Sequence, residues 1–447
     1  MGFRLQLNLK IRFLIENNLI MRYLTIFFLL WSITAQSQDD YYNEFQMRYD
    51  DYVYSENIKS VQLYQNKNEY SMPMLELGTN EQLRLAFDDI ESGMGTYYYT
   101  FIMCNSDWTP ADLMPMEYID GLTEDYFNNT YQSFNTTIHY THYETLLPSE
   151  EIKITKSGNY LLKVYPEGEP DHPIITRRLY IYENKVSVEA EVFLAKAPQD
   201  REHKQEFFIK INTNQYPMPD VYGSLVVKIQ QNGRKDNIKT LTKPKVITAN
   251  YLYYNTIGDI VFDGGNEFRK MDIRSFRTQS ARMASINYDS SGYQIQLLPD
   301  AIRAYKNYIN YQDINGQFGV INWDDPHLSE KIESDYAFVH FLLPVPEPYA
   351  DGEVFLLGSF TNWRLDRFSK LNYNKESKAY ETTLILKQGY YDYNYIFLLN
   401  ENKEGDISKI EGNHSDTENS YYVYVYYRDQ GELYDRLIAI QTVSSKK

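Results

Sequence analysis

Alternation between apolar and polar residues dominates the chain. The segment KVSVEAEV places Val186, Val188 and Val192 on one side of an extended strand and its glutamates on the other. This period of two is typical of a half-buried strand, and long stripes with helical spacing are missing. Turn residues separate the apolar runs, as at Asn232–Gly233, a dipeptide that favours a tight hairpin turn. The pattern predicts an all-β fold of tandem immunoglobulin-like β-sandwich domains.

Changes in composition divide the chain into blocks. A short junction follows ITRRLYIYE, and the polar, proline-containing stretch NWDDPHLSEKIESD indicates a second linker. The predicted blocks are an N-terminal sandwich at 38–184, a second sandwich at 185–330, an early-set immunoglobulin-like domain at 331–428 and a charged tail at 429–447. Three apolar residues of the tail have the spacing of one helical face: Leu433, Leu437 and Ile440.

The first 37 residues have the features of a leader. The sequence MRYLTIFFLLWSITAQSQ begins at Met21 with one arginine, continues as an apolar run and ends in small residues. This order predicts a secretory signal peptide cleaved between Ser37 and Gln38. Glu16 interrupts the preceding stretch, so Met21 is the expected start. Because a bilayer span needs about 20 apolar residues, the run is too short to cross a membrane, and the mature protein is expected to be soluble and exported.

Charge and cysteine content exclude several kinds of partner and site. The formal net charge is −17, and removing the leader makes it more negative, so the chain repels phosphate backbones and nucleic acid is excluded as a partner. Cys104 is the single cysteine, which rules out an internal disulfide and a zinc site built on thiolates. The 44 tyrosines suit broad sheet faces that are partly wet.

Motifs that carry chemistry are missing from the sequence. His139 and His142 lie in an alternating segment, where their side chains point to opposite faces and cannot bind one metal ion. The glycine-rich FDGGNEFR lacks the order of a phosphate-binding loop. We therefore predict no catalytic, cofactor-binding or metal-binding residue, no small-molecule substrate and no enzymatic activity.

The third block resembles the immunoglobulin-like modules that bind glycogen and starch. The matching residues are Gly358, Phe360, Asn362, Trp363, Gly389, Tyr391 and Tyr393. Sugar binding by such modules needs exposed rings, and residues 401–420 contain no aromatic residue, while Trp363 stands where a core ring is expected. An exported glycan-binding protein acting through this domain remains the alternative function. An accessory module of a polysaccharide-degrading complex is a third.

Two turn-rich segments combine aromatic residues with arginine or methionine. CNSDWTPADLMPMEYIDG is a long loop without periodicity, and GNEFRKMDIRSFR mixes arginine with phenylalanine, as interface hot spots do. Candidate partner-docking residues in these segments are Trp108, Phe268, Arg269, Arg274, Phe276 and Arg277. The alternative is that both segments fold onto their own sandwiches.

A second resemblance covers nearly the whole mature chain. Its segments, in order, are NIKSVQLY, CNSDWTPADLMPMEYIDG, HYETLLPSEEIKITKSGNYLLKVYPEG, GNEFRKMDIRSF, DINGQF and SDYAFVHFLL. Together they resemble the plug protein family of the type IX secretion system of Bacteroidetes. The resemblance implies a periplasmic protein without cofactors that binds the large outer-membrane translocon barrel and seals its periplasmic end. It also implies attachment to the inner side of the outer membrane through protein contact only.

Overall fold

The computed structural model describes residues 47–91, 93–254, 258, 260–324 and 329–445. Residues 49–447 form one compact unit. The predicted leader and its cleavage site at Ser37 and Gln38 lie outside the described residues. In the described part of the chain, none of the helices has the length and apolar character needed to cross a membrane.

The first sandwich is built from the N-terminal strands. These are β1 (Tyr52–Val53), β2 (Ile58–Gln65), β3 (Met74–Glu76), β4 (Leu83–Asp89), β5 (Tyr97–Cys104), β6 (Ile119–Gly121), β7 (Glu124–Tyr126), β8 (Asn129–Gln132), β9 (Thr141–Leu147), β10 (Ile152–Ile154), β11 (Gly158–Pro166) and β12 (Ile175–Tyr182). One sheet has the order β1-β12-β11-β5-β7, with β3 beside β12, and the other has the order β2-β4-β9-β8. Alternate residues of both sheets meet in one core, in which the rings of Phe87 and Tyr143 stack 5.0 Å apart.

The middle of the chain contributes a second group of strands. These are β13 (Ser187–Leu194), β14 (Lys204–Asn212), β15 (Leu225–Gln231), β16 (Lys239–Leu241), β17 (Val246–Ile247), β18 (Tyr251–Tyr254) and β19 (Val261–Asp263), with helix α1 (Val221–Ser224) before β15. The sheet β13-β14-β18-β17, with β19 beside β14, is one layer of the second sandwich. The other layer begins with β15 and β16 and is completed from the C-terminus.

The third sandwich contains the widest sheet. Its strands are β20 (Arg269–Asp272), β21 (Met283–Asp289), β22 (Gly292–Leu297), β23 (Phe318–Val320), β24 (Tyr336–Pro344), β25 (Gly352–Leu357), β26 (Lys370–Asn374), β27 (Ala379–Lys387) and β28 (Gly389–Leu399). The sheet runs β20-β28-β25-β26-β27-β24-β22-β21, with β23 also on β28. Short elements connect the strands: 3-10 helices at Pro115–Glu117 and Ser359–Thr361, and helices α2 (Glu330–Glu333) and α3 (Ser408–Glu411).

The last two strands return to the second sandwich. Strands β29 (Ser420–Tyr427) and β30 (Arg436–Ser444) extend the sheet to β16-β15-β29-β30, and Leu225 lies opposite Tyr427. The helical spacing read in the tail is wrong, because Leu437 and Ile438 are both buried in a strand that packs on both faces.

The all-β prediction and the tandem sandwiches are confirmed, but two boundaries drawn from the sequence do not follow the sheets. The boundary at residue 330 separates β20–β23 from the third-sandwich sheet that contains them, and the block 331–428 includes β29, which belongs to the second sandwich. Local alternation specifies a strand but not its partner, which is why the sequence missed both crossings.

Candidate functional site

The long loop between β5 and β6 has a buried base. Trp108 is 8% exposed, its ring packs edge-on against Tyr180 at 5.4 Å, and the guanidinium of Arg178 lies 4.3 Å from its centroid. Lys228 of β15 donates a 2.5 Å hydrogen bond to the carbonyl of Ser106. The prediction that Trp108 is a docking anchor is therefore wrong, because the ring is used inside the chain.

Three residues of the arginine-rich segment are also buried. Phe268 packs edge-on against Trp363 at 5.9 Å, and Phe276 packs against Tyr293 at 4.9 Å. Neither ring is available to a partner. Burial accounts for this error in the sequence analysis, since the same residue types fill a core and an interface.

Arg269 belongs to a buried ion cluster. Its guanidinium lies 2.8 Å from carboxylate oxygens of Asp300 and of Glu411, and Glu411 also accepts from Arg303 at 2.6 Å. Burial works against the charge of Arg269, but the two carboxylates outweigh it and raise its pKa. Glu411 is the reciprocal case, in which the two arginines overcome burial and lower the pKa. The cluster holds β20 to α3, so Arg269 is structural.

Arg274 and Arg277 reach the surface beside a tryptophan that the sequence analysis did not select. Trp323 is 59% exposed, and the guanidinium carbon of Arg274 lies 3.2 Å from its ring centroid. Arg274 is held by Asp272 at 2.5 Å, and Arg277 donates to the carbonyl of Asp324 at 3.3 Å. We call Arg274, Arg277 and Trp323 the Trp323 patch.

Apolar side chains are exposed on either side of β6, at the end of the β5–β6 loop and just after the strand. Met116 is 77% exposed and Leu122 is 52% exposed, and Met114 is similarly open. The backbone beneath them is fixed, since β6 pairs with β10 and the hydroxyl of Tyr118 donates to the carbonyl of Phe101 at 3.2 Å. We call Met114, Met116 and Leu122 the loop tip. Its Met-Pro-Met spelling, which breaks the strand alternation, was the signal available in the sequence.

Reactive chemistry is sparse in the described residues. Within these ranges no group of three or more His, Cys, Asp or Glu side chains is arranged to hold a metal ion. Cys104 is buried, and burial raises the pKa of its thiol to about 12, so the reactive thiolate is disfavoured. The exposed loop tip and the Trp323 patch are two surfaces that suit contact with another macromolecule.

Comparison with known proteins identifies the family. A family model described as the first domain of the type 9 secretion system plug protein matches residues 58–183. The chain belongs to the type 9 secretion system plug family. The matched range covers β2–β12, which is the first sandwich without its shortest strand.

The chain also has a solved relative that extends beyond the first sandwich. The crystal structure of a hypothetical protein from Parabacteroides merdae ATCC 43184 is similar to it, with 34% sequence identity and a TM-score of 0.86. The match covers 89% of this chain and 100% of that chain, so the sandwiches beyond residue 183 are shared. No curated protein sequence matches the chain.

Proposed function

We propose that this chain is a non-enzymatic periplasmic plug that binds and seals the periplasmic end of the type IX outer-membrane translocon barrel. Family membership supports a role in the secretion system. The observation that carries the finer proposal is mechanical: the sandwiches are locked together as one compact unit. A body that closes a wide pore must resist deformation, because domains that move on hinges would let solutes pass through the pore.

The first and second sandwiches are joined by rings and buried hydrogen bonds. The rings of Tyr180 and Tyr424 stack 4.6 Å apart, at an interplanar angle of 23°. The hydroxyl of Tyr426 donates to Asn159 at 2.8 Å, and both residues are buried. Rotating one sandwich against the other would break these contacts without solvent to replace them, so the junction is stiff.

The first and third sandwiches are joined in the same way. The Tyr336 hydroxyl of β24 donates to Asp88 of β4 at 2.5 Å. The carboxylate of Asp335 accepts from the hydroxyl and the backbone N–H of Thr137, both at 2.8 Å. Charge-assisted bonds of this length are stronger than neutral ones, which favours a fixed orientation.

The loop tip and the Trp323 patch are our candidate contacts with the barrel. Methionine and leucine side chains on a fixed backbone offer adaptable apolar area with little ordering left to do on binding. Trp323 stacked on Arg274 supplies the aromatic and arginine pair that is common in interface hot spots.

The aromatic ring on which the glycan-binding alternative depends most is buried. Trp363 is buried, and a Cβ placed on Gly233 would lie 2.1 Å from the indole nitrogen, so the indole rests directly on that backbone. The expectation that Trp363 fills a core position is confirmed. A pyranose has no access to a ring packed in this way.

Deleting the gene tests the plug function. Cells without the chain should remain viable, continue to export proteins through the translocon and become sensitive to vancomycin, because an open barrel admits large solutes. Restoring the chain should reverse the sensitivity, and a large barrel protein should co-purify with it from solubilised outer membrane. Unchanged permeability in the deletion strain would contradict the proposal, and a loss of secretion would indicate a pump component.

A further inference from the structure

A cleft lies where the first sandwich meets the third. It contains two adjoining cavities of about 170 Å³ and about 90 Å³. Both cavities are lined by Val61 of β2, Arg177 of β12, Phe318 of β23 and Asn362. The β2 strand is the edge of its sheet, so the cleft runs along a strand that has a neighbour on one side only.

Arg177 is a buried cation that forms no ion pair with any residue in the described part of the chain. It is 6% exposed, and its guanidinium donates to the carbonyls of Tyr52 at 3.3 Å and Thr176 at 2.9 Å and to the side-chain oxygen of Asn362 at 2.8 Å. A guanidinium has five N–H groups, so its Nε–H and one Nη2–H have no acceptor in the described chain. Burial lowers the pKa of Arg177, against the opposing pull of Asp51 and Asp50.

The carboxylates nearest to Arg177 are committed to other cations. Asp50 lies 3.3 Å from Arg178 and 3.0 Å from Lys235, and Asp51 lies 2.6 Å from Lys235. None of the described carboxylates lies within ion-pair distance of Arg177. Asp50 and Asp51 therefore act on the Arg177 guanidinium only from beyond ion-pair distance, and its free N–H groups leave room for an acceptor in the cavities that it lines.

A second cation lines the larger cavity. Lys59 of β2 is half-buried and makes no ion pair within the described ranges, and burial lowers its pKa against the pull of Glu56. Glu56 itself is exposed at the rim, and Asp366 is held by Arg364 at 2.7 Å. The side-chain NH₂ of Asn362, next to Arg177, likewise donates to no acceptor in the described chain. Donors and positive charge thus exceed the acceptors that face this space.

One part of the wall of the larger cavity is apolar. It is formed by Val53, Ile58, Phe360, Leu384, Leu386 and Tyr391. An apolar cavity of about 150 Å³ holds one benzene molecule, so about 170 Å³ accepts a ring or a short alkyl chain. A polar anion such as phosphate would accept hydrogen bonds from the donors but would leave the apolar wall in contact with water.

We propose that the cleft binds an organic monocarboxylate with an apolar body the size of a benzene ring. The carboxylate accepts from the free N–H groups of Arg177 and from Asn362, a geometry that suits the planar fork of a guanidinium. The apolar body occupies the larger cavity between β2 and β27. This ligand site is separate from the loop tip and the Trp323 patch.

Calorimetry on the isolated protein tests the proposal with 3-phenylpropanoate and octanoate as probes. We expect saturable binding at one site per chain. Acetate, which lacks the apolar body, and 3-phenylpropanol, which lacks the charge, should each bind at least ten-fold more weakly. Equal affinity for the acid and the alcohol, or no saturable binding of either carboxylate, would overturn the proposal.

Two variants assign the binding to the cleft. Arg177→Met removes the donor, and Val61→Trp fills the space while keeping the arginine in the chain; each should weaken 3-phenylpropanoate at least ten-fold. Leu433→Trp adds the same ring at an exposed position elsewhere and should bind as the wild type does. If Arg177→Met does not fold, Val61→Trp decides alone, and unchanged affinity in that folded variant contradicts the site. Because no barrel is present, the result is independent of the plug function.

Discussion

The carboxylate of Asp88 in the first sandwich and the ammonium of Lys387 in the third form a 2.6 Å ion pair, and each residue is 1% exposed. The hydroxyl of Tyr336 and the Nδ1 of His142 complete the surroundings of the carboxylate at 2.5 and 2.6 Å. Burial works against the charge of Asp88, but the lysine and histidine outweigh it and lower its pKa. This pair joins the first and third sandwiches through a buried ionic contact.

Removing one partner of this pair should be severe. Lys387→Met leaves Asp88 buried without its main counter-charge, and such truncations cost about 3–5 kcal/mol. Urea unfolding followed by circular dichroism measures the change. The matched control is Lys370→Met, which removes a surface pair with Glu353 and should cost about 0–1 kcal/mol.

The double variant Asp88→Asn with Lys387→Met completes the test. Removing both charges should recover part of the loss, because no unpaired ion remains. Additive losses in the double variant would mean that the two residues act independently.

A buried acid makes the stability of the plug depend on pH. Asp392 is fully buried, and one of its carboxylate oxygens accepts no hydrogen bond from the described residues. Burial, with a smaller contribution from Asp313, raises its pKa to about 8 from an ordinary value of 3.8. The native state therefore holds a proton that the unfolded chain releases, so this contribution is full at acid pH and is lost as pH rises toward 8.

Asp392→Asn should remove that dependence. We expect the wild type to lose about 2–4 kcal/mol more than the variant between pH 5 and pH 8, since one pKa unit corresponds to about 1.4 kcal/mol. Urea midpoints at pH 5, 6.5 and 8 give the comparison. Parallel curves for the two proteins would show that Asp392 ionises freely when folded.

How much the sequence could predict is clear from particular strands. The segments that alternate, such as KVSVEAEV, are strands as the pattern predicts, because the period of two is a local property. Their partners were not predictable: Gln230 and Tyr424 are bonded across 194 residues, and nothing local distinguishes that pairing from another.

The candidate site shows the same limit. Trp108 and Arg269 were selected by residue type, but their surroundings come from distant segments, since Glu411 lies 142 residues after Arg269. The burial of these two side chains depends on those distant segments and not on the local sequence. The exposure of Met116 and Trp323 does not follow from residue type either, because buried and exposed positions use the same apolar residues.

Trp363 is expected to contribute to stability and not to sugar binding. Trp363→Ala removes a ring that packs on Phe268 and on the backbone of Gly233, and should cost about 3–5 kcal/mol. Thermal unfolding measures the loss. Titration of the wild type with maltoheptaose should give no heat beyond dilution, and saturable heat would restore the glycan-binding alternative.

The loop tip should matter for barrel association and not for folding. Met116→Asp with Leu122→Asp places two charges on an apolar contact and should weaken co-purification of the barrel by about ten-fold or more, since hot-spot residues contribute about 2 kcal/mol each. The melting temperature should stay unchanged because both side chains are exposed. Leu433→Asp, an exposed leucine elsewhere, is the control. Normal sealing by the folded double variant would move the interface to another surface.

We predict that the leader is removed and that the mature chain begins at Gln38. Signal peptidase selects small residues before the cut, and Ala35 and Ser37 satisfy that requirement. Intact mass spectrometry of the periplasmic protein decides the point. A mature chain that retains Met21 would show that the leader is not removed.

The return of β29 and β30 to the second sandwich sets an order for folding. The first sandwich draws its strands from residues 52–182 and can close early, whereas β15 must wait for the last strands of the chain. Until then its edge is open to pairing with other chains. The strands β29 and β30 therefore complete the second sandwich last. A chain shortened before Ser420 should aggregate instead of folding into a smaller protein.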